Sequence, residues 1–438
     1  MCIRDRLLTM MVCLGITMMP SFSMQAKVAE STKQSASKSI KSKNIEATKK
    51  TDKNLSNKIN KKEIATNKGT MKITDKKGTL GPDISVGLLS GTTSAQVTGI
   101  QDFSVVSATG KKLAAFKAGT ILTVECKGAS LSLNNQSYDH TVFLKTDKNG
   151  AAFMVKGKKY RGYMKLLLTN GKSGVTVVNT LPLEEYLYGV VPSESISTWK
   201  ENALKAQAVA ARTYALKHMG GYASSGYDVT DNTSSQVYNG FSAETSATDK
   251  AVDSTKGEIL TYQGQPIDAL FHASGGGYTE DSENVWGMSI PYLRAVKEED
   301  TPEVKSSWNK TIPLSSIGTD LSIGQLKSIK LSRLKSGPMK TSDRGVSGRV
   351  KQVVFVGSKG QKIITGNALR DMYGLRSTLF DFNIEGKNLV INGYGFGHGL
   401  GMSQWGAEAM ARKHDDDKEY YKTILSHYYK GTDIKKIY

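Results

Sequence analysis

The chain has 438 residues, of which 38% are hydrophobic, and a formal net charge of +19. This length gives ample capacity for a core, in one large domain or in two. Of three cysteines, Cys2 and Cys13 fall in a predicted leader, so the mature chain keeps Cys126 alone. That count excludes an internal disulfide and the usual cysteine-based zinc patterns.

Residues 1–26 have the pattern of a secretion signal. Arg4 and Arg6 precede an apolar run from Leu7 to Met19, and a small residue, Ala26, ends a suitable cleavage site. The run is short for a membrane span, although retention as a membrane anchor stays open. We therefore expect an extracytoplasmic protein, either secreted or membrane-anchored.

Residues 27–80 form a lysine-rich linker that we expect to be disordered. The stretch 27–77 holds 15 lysines against five acidic residues, and no aromatic residue occurs between Phe22 and Phe103. Such a segment cannot bury enough surface to fold. In a secreted protein its charge favours anionic wall polymers or a membrane surface. Nucleic acid is not expected as a partner, because no groove-binding motif or base-stacking block accompanies the lysines.

Residues 84–179 are predicted to be rich in β-strands. Short apolar or alternating runs, separated by turn residues, occur as ILTVE, TVFLK, AAFMV, MKLLL and VTVVN. A helix from Lys200 to Met219 follows, and a short one over 420–429 ends the chain with Leu425 and Tyr428 facing inward. These elements predict an α+β fold with a mostly antiparallel sheet around a buried, alanine-rich central helix.

The central helix has two features of interest. Thr198 and Glu201 have the spacing of a capping box at its start, and apolar residues on all its sides predict burial. Lys205 and Arg212 share one face, about 10 Å apart along the axis. Buried cations need an anionic or polar partner, and pairing with acids such as Glu184 or Glu185 is one explanation.

Glu194 precedes this helix, in what we predict to be a tight turn after a strand. A carboxyl beside buried surface, facing two cations, is the kind of environment that adjusts a proton donor. The alternative is a loop acid that interacts with the helix dipole.

Three sequence blocks resemble the SpoIID/LytB family of sporulation and amidase-enhancer proteins. They are residues 181–216, with PSE and the central helix, residues 237–296, with FHASGGGYTEDSENVWG, and residues 393–407, GYGFGHGLGMSQWGA. SGRV and ALRDMYGLRST between them also match. The resemblance covers residues 82–438, with a core over 175–300.

This resemblance implies a lytic transglycosylase that cleaves peptide-stripped peptidoglycan strands, with Glu194 as its general acid and base. Lys205 and Arg212 fall where the family places cations that contact substrate. The further predicted substrate-binding residues are His272, Ser274, Tyr278, Glu283 and His398. Of these, Glu283 is the candidate second carboxylate if the enzyme hydrolyses its substrate.

A second interpretation, also implied by the resemblance, is a non-catalytic wall-binding protein that enhances an N-acetylmuramoyl-L-alanine amidase. The lysine-rich linker suits either function. No cofactor and no metal site are expected. Some members of the family bind zinc through His and Cys, and His272 is the one candidate zinc ligand in this sequence, although no cysteine accompanies it. The expected partners are glycan strands, a cell-wall amidase and anionic wall polymers.

Overall fold

The computed structural model describes residues 80–169, 174–299, 301–339 and 341–438. The predicted leader lies outside these ranges, as does the predicted linker except for Leu80, so both stay predictions. Among the described helices, none is long and apolar enough to cross a membrane. Helices and mostly antiparallel strands are mixed along the chain, which confirms the α+β prediction.

The first part of the described chain is a two-sheet β region. Its strands are β1 (Asp83–Thr92), β2 (Ser94–Gly99), β3 (Phe103–Ser107), β4 (Lys112–Phe116), β5 (Ile121–Lys127), β6 (Ser130–Leu133), β7 (Gln136–Tyr138), β8 (Thr141–Lys145), β9 (Phe153–Val155), β10 (Lys158–Tyr160), β11 (Tyr163–Leu168) and β12 (Val175–Pro182). One sheet has the order β10-β9-β2-β5-β6-β7. The other contains β1-β12-β11-β8-β3-β4, and every pair among these strands is antiparallel.

Burial explains why these segments are strands. In β11 buried and half-buried residues alternate strictly, because one face of the strand points into the core. Val97, Val105 and Leu122 come from different strands and belong to a single apolar cluster. All five predicted strand segments coincide with strands, so that part of the prediction is confirmed.

Two helices follow β12. The first, α1 (Leu183–Glu194), begins directly where the strand ends, so the predicted tight turn is wrong. Gly189 and Pro192 gave this segment the composition of a turn. In the structure Pro192 lies in the last helical turn, and the absence of a side chain at Gly189 lets the Tyr238 ring pack against the helix.

The second helix, α2 (Glu201–Lys217), is the predicted central helix. Fourteen of its 17 residues are buried, which confirms the prediction of burial on all sides. The predicted capping box is wrong, because Lys200 is the N-cap and no side chain caps the helix. Glu201 instead forms ion pairs with Lys205 and Lys250.

After α2 the chain forms a series of short helices and strands, the later of which build a C-terminal β lobe. They are β13 (Val229–Thr230), α3 (Ser246–Ser254), β14 (Glu258–Tyr262), β15 (Gln265–Pro266), β16 (Phe271–His272), α4 (Ser282–Trp286), α5 (Pro302–Lys305), β17 (Trp308–Pro313), α6 (Leu314–Asp320), β18 (Leu326–Lys330), β19 (Gln352–Gly357), β20 (Gly360–Thr365), α7 (Gly366–Tyr373), β21 (Phe380–Glu385) and β22 (Asn388–Gly393). Strands β17-β22-β21 and β18-β19-β20 form two antiparallel sheets that share one apolar cluster. Strand β13 pairs in parallel with β1 at the edge of the first region.

The end of the chain returns from this lobe to the central helix. Its elements are β23 (Met402–Ser403), α8 (Gln404–Lys413), α9 (Tyr420–Tyr428) and β24 (Asp433–Lys436). Helices α8 and α9 pack on α2, β24 pairs with β14, and β23 pairs in parallel with β16. Leu425 and Tyr428 are buried, as predicted for the last helix. The return brings the C-terminal block, residues 393–407, to the end of α1.

Candidate active site around Glu194

Glu194 is the last residue of α1, and its carboxyl group lies mostly buried. One carboxylate oxygen, Oε1, accepts a hydrogen bond of 2.7 Å from the main-chain N–H of Val237. Burial raises the pKa of this carboxyl to about 6, although the hydrogen bond from the Val237 N–H favours the charged form. Since no ion pair with a described residue stabilises its charge, Glu194 can hold and release a proton near neutral pH.

The segment that supplies the Val237 N–H is fixed against α1. The ring of Tyr238 packs beside Tyr186, with centroids 4.9 Å apart, and its hydroxyl donates to Asn179 Oδ1 at 2.8 Å. A Cβ added at Gly189 would lie 2.5 Å from this ring. Local packing thus sets the position of the donor. The sequence VYNG lies in one of the blocks that resemble the family, but no function is predicted for it from the sequence.

Two glutamines that sequence reasoning did not place in the site lie next to Glu194. Gln404, at the start of α8, donates from Nε2 to the main-chain carbonyl of Glu194 at 2.9 Å, and Gln207 Oε1 lies 3.4 Å from the same nitrogen. Gln207 Nε2 and Ser195 Oγ are buried without a partner among the described residues. Gln207 is one of few polar residues in a buried helix, and that was the signal available in the sequence.

The two predicted substrate cations of α2 point into the protein. Arg212 is fully buried, and its Nε and Nη2 donate to the two oxygens of Glu184 at 2.8 and 2.7 Å. Lys205, 6% exposed, pairs with Glu201 at 3.1 Å and donates to the carbonyl of Lys418. Arg212 is paired with Glu184, which is one of the partners considered from the sequence, and its predicted contact with substrate stays a prediction. Lys205 is likewise held by protein partners.

His272 and His398 come together where β16 meets the loop before β23, with ring centroids 5.4 Å apart. His272 Nδ1 donates to the Leu400 carbonyl at 3.1 Å, which leaves its Nε2 as a buried acceptor without a partner among the described residues. His398 Nδ1 accepts from the Leu400 N–H at 3.0 Å. Burial lowers the pKa of both rings, that of His398 to about 4, so both are neutral at neutral pH.

The remaining predicted residues divide between structural and exposed positions. Ser274 is fully buried, and its hydroxyl donates to the Val304 carbonyl, while its predicted contact with substrate stays a prediction. Tyr278 is half-buried, and its carbonyl accepts from a buried arginine. Glu283 lies exposed in α4, where a hydrogen bond from Arg294 lowers the pKa of its carboxyl. No contact joins Glu283 to Glu194 in the described part of the chain.

Metal binding finds no ready cluster in the described ranges. They contain no group of three or more His, Cys, Asp or Glu side chains that could hold an ion. His272 and His398 are the two histidines that lie together, and each uses one ring nitrogen on the main chain of Leu400.

Two family models match parts of this chain. The family model described as "Stage II sporulation protein" matches residues 171–262, and a domain of unknown function, DUF8618, matches residues 295–401. The first match contains Glu194, α2 and the segment that supplies the Val237 N–H. The second contains most of the C-terminal lobe and the loop with His398.

Whole-protein relatives give the same result. Stage II sporulation protein D of Bacillus subtilis is 38% identical over 280 residues, which are 59% of this chain and 76% of that protein. An uncharacterized protein of Brachyspira hyodysenteriae is 35% identical over 286 residues, 64% of this chain and 74% of that one. The B. subtilis protein named Amidase enhancer is 30% identical over 365 residues, 72% of this chain and half of its own length. The chain belongs to the SpoIID/LytB family.

Proposed function

We propose that this protein is a peptidoglycan lytic transglycosylase in which Glu194 is the general acid and then the general base. The observation that carries the proposal is the environment of its carboxyl group. That group lies mostly buried, has a pKa raised to about 6, accepts a hydrogen bond from the main-chain N–H of Val237 and forms no ion pair with a described residue. A carboxyl that is partly protonated at neutral pH is suited to both roles.

The proposed reaction needs one carboxyl group. Glu194 gives its proton to the glycosidic oxygen as the bond from this oxygen to the anomeric carbon breaks. The carboxylate then takes the proton of the muramic C6 hydroxyl while O6 bonds to the anomeric carbon. The carboxyl returns to its first state, and the product has a 1,6-anhydro end without consumption of water. Hydrolysis would need a second carboxylate at a set distance from Glu194, and Glu283 is the candidate for it.

The proposed substrate is a glycan strand from which an amidase has already removed the peptides. The names of two relatives support this setting, since one is a sporulation protein and the other an amidase enhancer. We place the protein outside the cytoplasm, secreted or membrane-anchored, in sporulation or wall remodelling. Residues 27–77 would hold it near anionic wall polymers or a membrane surface.

The test is mass spectrometry of the products that the purified chain makes from peptide-free glycan strands. We expect anhydro-muramic ends with the unaltered protein and a rate about 10² to 10⁴ times lower with Glu194→Gln. Glu385→Gln, which removes an exposed carboxylate at the end of β21, is the matched control and should keep full activity.

Other products would contradict parts of the proposal. Reducing ends in place of anhydro ends would show hydrolysis, and loss of these ends in Glu283→Gln would identify the second carboxylate. Equal anhydro products from Glu194→Gln and the unaltered protein would remove Glu194 from the mechanism.

The alternative function is a non-catalytic enhancer of a cell-wall amidase. Two observations favour it: the relative named Amidase enhancer, and the inward position of the α2 cations, which the resemblance had implied contact substrate. It predicts that the chain makes no new ends of its own but raises the rate of an added amidase on intact wall. It also predicts that Glu194→Gln leaves this stimulation unchanged.

A further inference from the structure

A cationic and aromatic surface lies beside His398, on the loop that leaves β22. Tyr394 and Phe396 are 40% and 44% exposed, although large aromatic rings usually lie buried. The exposed guanidinium group of Arg376 lies over the Phe396 ring, with its central carbon 6.0 Å from the ring centroid. Arg370, from α7, is half-buried near the two histidines.

Main-chain bonds hold this surface in place. Phe396 exchanges two hydrogen bonds with Ser274, of 2.8 and 3.0 Å, and the Gly397 N–H donates to the Arg376 carbonyl at 3.0 Å. Gly397 has φ of +109°, and a Cβ there would lie 2.7 Å from the His272 Cβ. The exposed ring of Phe396 is therefore presented by a fixed backbone, which is the arrangement expected of a binding surface.

The arginines of this surface lack the carboxylate partners that other arginines have. In the described ranges every arginine has a carboxylate oxygen within 4.0 Å except Arg349, Arg370 and Arg376. Arg349 is buried and donates to the carbonyls of Tyr278 and Gly275. Arg370 donates from Nε to the Leu375 carbonyl, whereas no hydrogen bond joins the Arg376 side chain to a described residue.

Nearby arginine side chains add to the positive charge of this surface. The positive charges of Arg370 and Arg349 are among the causes that lower the pKa of His398, after burial itself. Asp371 is the acidic residue whose charge acts on Arg370, and it is exposed. A neutral imidazole, two arginines and two exposed aromatic rings thus share one surface with little acid to balance them. Such a surface is complementary to an anionic ligand that also has an apolar face.

We propose that this surface binds the carboxylate-bearing sugar of a peptide-stripped glycan strand. The guanidinium of Arg376 pairs with the lactyl carboxylate, and the apolar face of the sugar ring packs against Phe396. A planar guanidinium matches a carboxylate with two parallel hydrogen bonds. The proposal rests on the proposed function for its substrate. It assigns the recognition of the lactyl carboxylate to the C-terminal lobe, since Lys205 and Arg212 point inward.

The surface and Glu194 belong to one connected structure. The loop that presents Phe396 continues through His398 into β23, whose pairing with β16 places His272 opposite Ser403. The next residue, Gln404, donates to the Glu194 carbonyl. A glycan strand carries a lactyl carboxylate on every second sugar, so one strand can meet the acid with one sugar and this surface with another.

The test is equilibrium binding by the full chain, in a Glu194→Gln background so that strands are not cut. The ligands are fluorescently labelled peptide-free glycan strands and the same strands with their carboxyl groups chemically reduced. Arg376→Ala should weaken binding of native strands by about tenfold, because a charge-assisted contact is lost. On reduced strands the same substitution should change affinity by less than about twofold. Lys362→Ala, an exposed cation in the same lobe, is the charge-matched control and should bind like its parent.

Two results would overturn the assignment. One is native-strand affinity in Arg376→Ala equal to that of the parent, with thermal melts showing that both are folded. The other is an equal loss on native and reduced strands, which would mean that Arg376 acts through packing and not through the carboxylate. Failure of the proposed reaction is a separate outcome, because it appears as missing anhydro ends whether or not this binding difference is found.

Discussion

The two ends of α1 carry the same residue type in opposite circumstances. At its start Glu184 is fully buried, accepts two hydrogen bonds from Arg212 and a third from the hydroxyl of Tyr438. At its end Glu194 is also largely buried, yet it has no cationic partner in the part of the chain that the structure describes, and its pKa is raised to about 6. The partner, more than the burial, separates a structural carboxylate from one that can exchange a proton.

The contrast between Glu184 and Glu194 is tested most strongly by a substitution at the start of α1. Glu184→Gln removes the charge that balances Arg212, so it should lower the free energy of unfolding by about 3 to 5 kcal/mol. Denaturant unfolding followed by circular dichroism measures this loss. The double variant Glu184→Leu with Arg212→Met should lose much less, because no unpaired charge stays buried. A single variant as stable as the unaltered protein would contradict a structural role for the pair.

The same substitution at the other end of α1 should have the opposite sign. The folded-state pKa of Glu194, about 6, lies above its ordinary value of 4.5. Its protonated form is therefore the favoured one in the fold, and this contribution is present below pH 4.5 and is lost as pH rises through 6. Glu194→Gln removes the ionisation, so at pH 8 the variant should be more stable than the unaltered protein by about 2 kcal/mol.

Unfolding curves at pH 4 and pH 8 give the measurement for Glu194→Gln. The two proteins should differ little at pH 4, where the carboxyl is protonated in both the folded and unfolded chain. A variant that is less stable at pH 8 would mean that the charged form of Glu194 is the one the fold favours.

The smallest expected effect concerns the start of α2. If Thr198 and Glu201 formed a capping box, Thr198→Ala would cost about 1 kcal/mol. Because Lys200 is the N-cap and no side chain caps the helix, the free energy of unfolding should change by less than about 0.5 kcal/mol. Thermal melts of both proteins decide this, and a loss near 1 kcal/mol would restore the cap.

Local sequence predicted the β-rich character of the first half of the fold, five of its strands and its central helix. The runs that became β5, β8, β9, β11 and β12 have apolar residues at strand spacing, and the composition of α2 indicated a helix buried on all sides. The helix α1 was missed because Gly189 and Pro192 are typical of turns. Only the tertiary structure shows that the Tyr238 ring packs where Gly189 has no side chain, a contact that supports the helix although Pro192 lacks the N–H for one main-chain hydrogen bond.

The sequence by itself determined that Glu194 stands before a buried helix and that three separated blocks belong together. It could not determine which charged side chains form ion pairs inside the fold, because such pairs join residues far apart in the chain. Glu184 pairs with Arg212, and Gln404 reaches Glu194 because the C-terminal segment returns to the central helix. Arg376 lies over the Phe396 ring without a carboxylate partner among the described residues. Tertiary packing decides burial and partners, and these in turn decide which polar groups are left to meet a ligand.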